Sequence, residues 1–138
     1  QYFTQALKEV GDDDPKFTMR TYNSLAEMFC LKDSRKSLDW LQKAMRIAID
    51  TDNTEYRSLS LAMTAYIYFM DGNKGDFYRT LEAYQQLRDQ DKPGFSHRYD
   101  KLLDVAKLAF DGNIQGAREV LADNRTTYVD SSLVAISL

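Results

Sequence analysis

Apolar residues recur along this chain at the spacing of one helix face. Tyr22, Leu25, Ala26 and Phe29 fall at i, i+3, i+4 and i+7, which predicts an amphipathic helix. After the polar pair Lys32-Asp33 the pattern resumes with Leu38, Leu41, Met45 and Ala48. A second set follows with Leu59, Ala62, Met63, Tyr66 and Met70, then Phe77, Leu81 and Tyr84. A third runs through Leu102, Leu103, Ala106 and Phe110, then Ile114, Ala117 and Leu121. Each set has two stripes with a polar break between them, so each predicts a helical hairpin.

The breaks are related to one another. Phe69-Met70-Asp71-Gly72-Asn73 resembles Phe110-Asp111-Gly112-Asn113, and the two turn glycines stand 40 residues apart. One step of 40 back from Gly72 lands on Lys32-Asp33. Leu41, Leu81 and Leu121 keep this register, as do Met28, Tyr68 and Leu108, and Phe29, Phe69 and Ala109. A period of roughly 20–50 residues marks a repeat array. Boundary residues agree with it. Asp14-Pro15 is a cap followed by Pro at the first helical position, Asp52-Asn53-Thr54 separates the first unit from the second, and Ser96 after Pro93-Gly94 is expected to cap the third.

The expected plan is therefore the end of a preceding helix over 1–11, hairpins over 15–51, 54–92 and 96–125, and the start of a fourth unit over 127–138. A lone hairpin cannot bury its apolar stripe, so neighbours stack to build a core. The predicted fold is all-α, an α-solenoid of stacked antiparallel helical hairpins with right-handed stacking. The opening residues carry no charged n-region or apolar h-region, so no signal peptide is expected. Val129–Leu138 starts a periodic segment without a stop signal, and the chain is read as a piece of a longer polypeptide.

Composition narrows the chemistry. Lys+Arg 18 against Asp+Glu 21 gives a net charge of −3, which argues against a phosphate-tracking surface and hence against nucleic acid. One Cys and one His leave no disulfide framework and none of the usual zinc sites. No apolar run approaches the roughly 18 residues of a membrane span, so no membrane contact is expected. Gly-rich phosphate loops and the hydrolase, metalloprotease and kinase signatures are missing from the sequence. The segment is expected not to be an enzyme and to need no cofactor.

The residues resemble the tetratricopeptide-repeat family. Ser24-Leu25-Ala26-Glu27-Met28-Phe29 looks like that family's first helix, and Leu41-Gln42-Lys43-Ala44-Met45 looks like its second. Ala117 stands where the family favours a small residue, Gly72 and Gly112 stand in the inter-helix turn, and Pro93 matches the Pro that often closes a unit. The sequence departs from the pattern in its 40-residue period, longer than the family's, and in Phe77, which replaces a small residue. Long-period units of this type are similar to sensory regions of bacterial two-component histidine kinases and of some transcription regulators. The resemblance implies a protein- or peptide-recognition module with a sensory or docking role. The alternatives are an assembly scaffold that self-associates, or the repeat region of a transcription regulator. A sensor kinase parent would place it in the periplasm, another parent in the cytoplasm.

Several residues invite a site reading that an ordinary structural role competes with. Asp71, Asn73 and Glu82 match three positions of a calcium loop, but Gly75 and Asp76 stand in the wrong order, and the Asp111 loop ends on Ala122. Both loops are expected to be left-handed helix-hairpin turns. Asp12-Asp13-Asp14 is expected to be a solvated loop ending in a cap. Cys30 is expected near the core and His97 exposed, too far apart in the plan for a nucleophilic pair. Trp40 is expected to be half-buried packing. The first helices of stacked hairpins commonly line a concave partner surface. Its candidate residues are Arg20, Asn23 and Glu27, then Arg57, Thr64 and Tyr68, then Arg98 and Lys101. The bases suit a carboxylate or acidic peptide, and Tyr68 suits an anchor.

Overall fold

The computed structural model describes residues 14–122. Among them are six helices and no strand: α1 (Pro15–Phe29), α2 (Ser34–Asp50), α3 (Thr54–Met70), α4 (Lys74–Asp89), α5 (Asp100–Phe110) and α6 (Ile114–Ala122). The expected helix over 1–11 and the fourth unit over 127–138 lie outside the described residues.

Capping sets where the helices begin. Asp14 accepts the Phe17 N–H at 3.1 Å, with Pro15 at the first position of α1. Asp33, Asn73 and Asn113 stand 40 residues apart. Each accepts the N–H three residues on, at 3.1, 3.3 and 2.8 Å, and so starts α2, α4 and α6 in the same register. The preceding helix ends are less alike. Gly72 and Gly112 have φ of +72° and +87°, which lets the Asn73 and Asn113 N–H groups reach back to Tyr68 and Leu108 carbonyls at 2.9 Å. This six-residue closure satisfies two orphan carbonyls. Lys32 keeps out of the left-handed region, so Asp33 bonds Phe29 instead, at 2.8 Å.

Ser96 does not cap the third pair. Tyr99 precedes α5 without a side-chain cap bond. Ser96 is instead tied across the fold: its N–H donates to Ser58 Oγ at 3.1 Å, and its carbonyl accepts from the Tyr84 hydroxyl at 3.3 Å. Anchoring to α3 and α4 keeps the backbone there out of the helix, which starts at Asp100 instead of residue 97.

Consecutive helices α1 and α2, α2 and α3, α3 and α4, and α5 and α6 pack on each other, and α3 also meets α1 and α5. α3 is therefore central, and its sequence fits: Ala62, Met63, Ala65, Tyr66, Ile67 and Phe69 are all buried, the all-round apolarity of a core helix. Leu41, Phe77, Leu81, Tyr84, Leu103 and Ala106 join the same core. Its small hydroxyls are satisfied, Thr21 Oγ1 donating within α1 to the Phe17 carbonyl at 2.8 Å and Ser37 Oγ donating from α2 to the Ala26 carbonyl of α1 at 2.9 Å. Ile114 is more exposed than its place in the apolar stripe predicted.

One column of the register holds very different residues. Ser37, Phe77 and Ala117 are each fully buried, at 0% exposure. Phe77 is the centre of an aromatic group, 5.1 Å from Phe110, 5.3 Å from Tyr78 and 6.2 Å from Phe69 between ring centres. Trp40 is half-buried, edge-on to Phe29 at 5.2 Å with Lys36 over both rings. Among the described residues no helix is long and apolar enough to cross a membrane.

Candidate functional site

α2 and α4 both pack on α3, and between them an open cleft of about 520 Å³ exposes one side of α3. Leu61, Thr64 and Tyr68 of α3 form its floor, at i, i+3 and i+7. Leu41, Gln42, Met45, Arg46 and Ile49 of α2 form one wall, and Arg79, Thr80 and Ala83 of α4 the other.

Its surface is less polar than its residue names suggest. The Thr64 hydroxyl donates to the Ser60 carbonyl at 2.7 Å, and the Thr80 hydroxyl to the Asp76 carbonyl at 2.8 Å. Helical threonines that bond back to the i−4 carbonyl spend their donor on their own helix. These two therefore leave mainly their methyl groups for the cleft. Ile49 is 54% exposed on the α2 wall. Strong polar groups sit at the edges: Arg79 is paired with Asp76, while Gln42 and Arg46 stand one helical turn apart on α2. Arg46 makes no ion pair among the described residues.

Of the eight candidates from the sequence, the structure brings Thr64 and Tyr68 together in this cleft. Arg20 and Glu27 are exposed on α1. Asn23 faces α3, its Oδ1 accepting from Ser60 Oγ at 3.3 Å, and its buried Nδ2 finds no hydrogen-bond partner among the described residues. Arg57 and Lys101 are half-buried in the first turns of α3 and α5. Arg98 lies over the Tyr99 ring at 5.3 Å. Met45, expected in the core stripe, is half-buried and lines the cleft. The residues missed by the sequence are Gln42, Arg46, Ile49, Leu61, Arg79, Thr80 and Ala83. Ile49 alone left a signal, an Ile one place beyond the buried Ala48.

A second polar group joins α4 to the start of α5. The Tyr84 hydroxyl donates to Asp100 Oδ1 at 2.5 Å, and His97 Nδ1 lies 2.7 Å from Asp100 Oδ2. Arg88 stands 3.9 Å from the same carboxylate. Burial, then the hydrogen bond and charge of Asp100, push the Tyr84 hydroxyl far above the usual tyrosine range. Burial, then Asp100, also raise Asp104. Tyr84 is thereby held protonated as a donor, the role of a structural tie. Cys30 lies in the core with its thiol on the Glu27 carbonyl and its pKa raised by burial and by Glu27, the reverse of what activates a thiolate.

The turns are occupied by capping. Asn73 bonds Asp76 through both ends of its amide, and Asp111 is held by the Tyr78 hydroxyl and by Lys107 at 3.0 Å. No group of three or more His, Cys, Asp or Glu in metal-binding array occurs among the described residues. Asp14 of the acidic run is the α1 cap; Asp12 and Asp13 lie outside the described residues. Neither a protein-family model nor a curated protein nor a solved structure matches this chain.

Proposed function

We propose that the chain is a non-catalytic recognition module, a piece of a tetratricopeptide-like solenoid that docks a segment of another protein. Two features support the solenoid. α2, α4 and α6 begin in a 40-residue register, and α3 packs on both α1 and α5, the preceding and following first helices. The observation that carries the function is the cleft: a concave, mostly apolar surface with a few polar groups at its edge is the usual form of a binding site. By resemblance, the module is the sensory or docking part of a bacterial signalling protein such as a two-component sensor kinase.

Panning a random peptide library on the chain tests this. Enrichment of peptides whose binding falls at least tenfold in Ile49→Glu, with an unchanged melting curve, is the expected outcome. Ile49 is already half in solvent, so the exchange leaves the core alone. A library that yields no binder, or binders indifferent to both Ile49→Glu and Tyr68→Ala, overturns the reading.

A further inference from the structure

The cleft's walls restrict what it holds. Helix-interior N–H and C=O groups are paired within their own helices, so α2, α3 and α4 offer no row of backbone partners. The hydroxyls of Thr64 and Thr80 are also used within their own helices. An extended peptide pressed into this cleft would bury its own backbone donors and acceptors against apolar side chains, each unpaired group costing free energy. A helix arrives with its backbone already paired and presents only side chains.

Length agrees with a helical guest. Leu41 to Ile49 spans about 12 Å of α2 at the helical rise. Three apolar anchors at i, i+4 and i+7 span about 10.5 Å by the same rise. Charge then sets the guest's flank. Arg79 is already paired with Asp76, whereas Arg46 carries a guanidinium without an ion partner among the described residues, with Gln42 one turn away on the same edge. A guanidinium at the rim of an apolar trough favours a carboxylate.

We infer that the cleft between α2 and α4 receives an amphipathic helix of a partner protein, with apolar anchors at i, i+4 and i+7 and an acidic side chain facing Arg46. This rests on the recognition reading and specifies its ligand. The helix lies on α3 between α2 and α4, and Arg46, the cleft guanidinium without an ion partner among the described residues, fixes which flank of the guest faces α2.

Two displayed libraries test the inference, one varying the surface of a fixed helix and one of proline-interrupted extended peptides. Binders that compete with one another and fail on Ile49→Glu are expected from the helix library, enriched in Asp or Glu beside the apolar anchors. The strongest helix, made as a labelled synthetic peptide, is expected to bind Arg46→Glu at least tenfold more weakly. Exchanging its acidic residue for Lys is expected to restore binding to that variant. Cleft-dependent binders from the extended library alone, or helices without acidic enrichment and indifferent to Arg46→Glu, overturn the inference while leaving recognition standing. Absence of any cleft-dependent binder overturns both.

Discussion

Phe77→Ala is the substitution on which register and packing disagree. The 40-residue register puts Ser37 and Ala117 in the same column, so repeat logic alone says a small residue fits at 77. The structure says otherwise, since the ring is fully buried and touches Phe69, Tyr78 and Phe110. Burying a Phe side chain is worth about 1.5–3 kcal/mol, and the void left by truncation adds to that, giving about 3–5 kcal/mol for Phe→Ala in a core. Against a total stability of about 5–15 kcal/mol this is a large share. Urea unfolding followed by helical circular dichroism reads it directly. With a slope of about 2 kcal/mol/M the midpoint falls by about 1.5–2.5 M at unchanged slope. Phe77→Leu, which keeps most of the volume, is expected to cost less than about 1.5 kcal/mol. A Phe77→Ala loss below about 1 kcal/mol would refute the packing argument and restore the register as the better guide. A double-mutant cycle with Phe110→Ala isolates the ring–ring part, expected at about 0.5–1.5 kcal/mol.

Gly72→Ala and Gly112→Ala each force a side chain into a positive φ with no neighbour in the way, so backbone strain alone is expected to cost about 1–2 kcal/mol per site in thermal melts; no loss would contradict the turn geometry. Ser37→Ala removes the bond to the Ala26 carbonyl and is expected to cost about 0.5–1.5 kcal/mol, and a gain in urea midpoint would show the bond to be unimportant. The Tyr78–Asp111 bond acts at both ends of the pH scale. It pushes Tyr78 up to about 12, so its stabilisation is full below the free tyrosine value of about 10 and is lost from there upward. The same bond first, and Lys107 second, hold Asp111 below the carboxylate range, a contribution present above about pH 4 and lost as pH falls. Tyr78→Phe is expected to remove one late step from the tyrosinate absorbance titration and to raise the Asp111 midpoint seen by NMR; an unmoved Asp111 midpoint would be fatal to this account.

The all-helical architecture was legible because every described helix but α5 announces itself twice, by an apolar stripe and by a capping residue. Leu25-Ala26, Leu41 and Leu103 are buried as the stripes require, and Asp14, Asn53, Asn73 and Asn113 cap where the polar breaks fall. Ser96 misled because a cap is recognised by local sequence, whereas its bonds to Ser58 and Tyr84 come from 38 residues before and 12 residues before. The cleft was hardly legible at all. Its walls combine three helices, and a polar name such as Thr64 says nothing of whether its hydroxyl is free. Arg46 stands on a second helix, and only the gap between α2 and α4 makes it a wall residue, whereas Arg20 and Arg57 stand on first helices and Arg98 just before one.

The α4–α5 junction is fastened differently along its length, and that has a mechanical consequence. Where the turn before α4 meets the turn after α5, Phe69, Phe77, Tyr78 and Phe110 pack ring on ring, and the Tyr78 hydroxyl adds one bond to Asp111. Farther along α4 the fastening is Tyr84 on Asp100, with Ser96 on Ser58 beside it, bonds that weaken steeply with angle. A bending load between the two pairs therefore has a pivot and a catch. Under such a load the ring-packed end, with its larger buried area, is expected to hold while the end tied by Tyr84–Asp100 and Ser96–Ser58 opens first, so that the last pair would swing like a door hung on its phenylalanines.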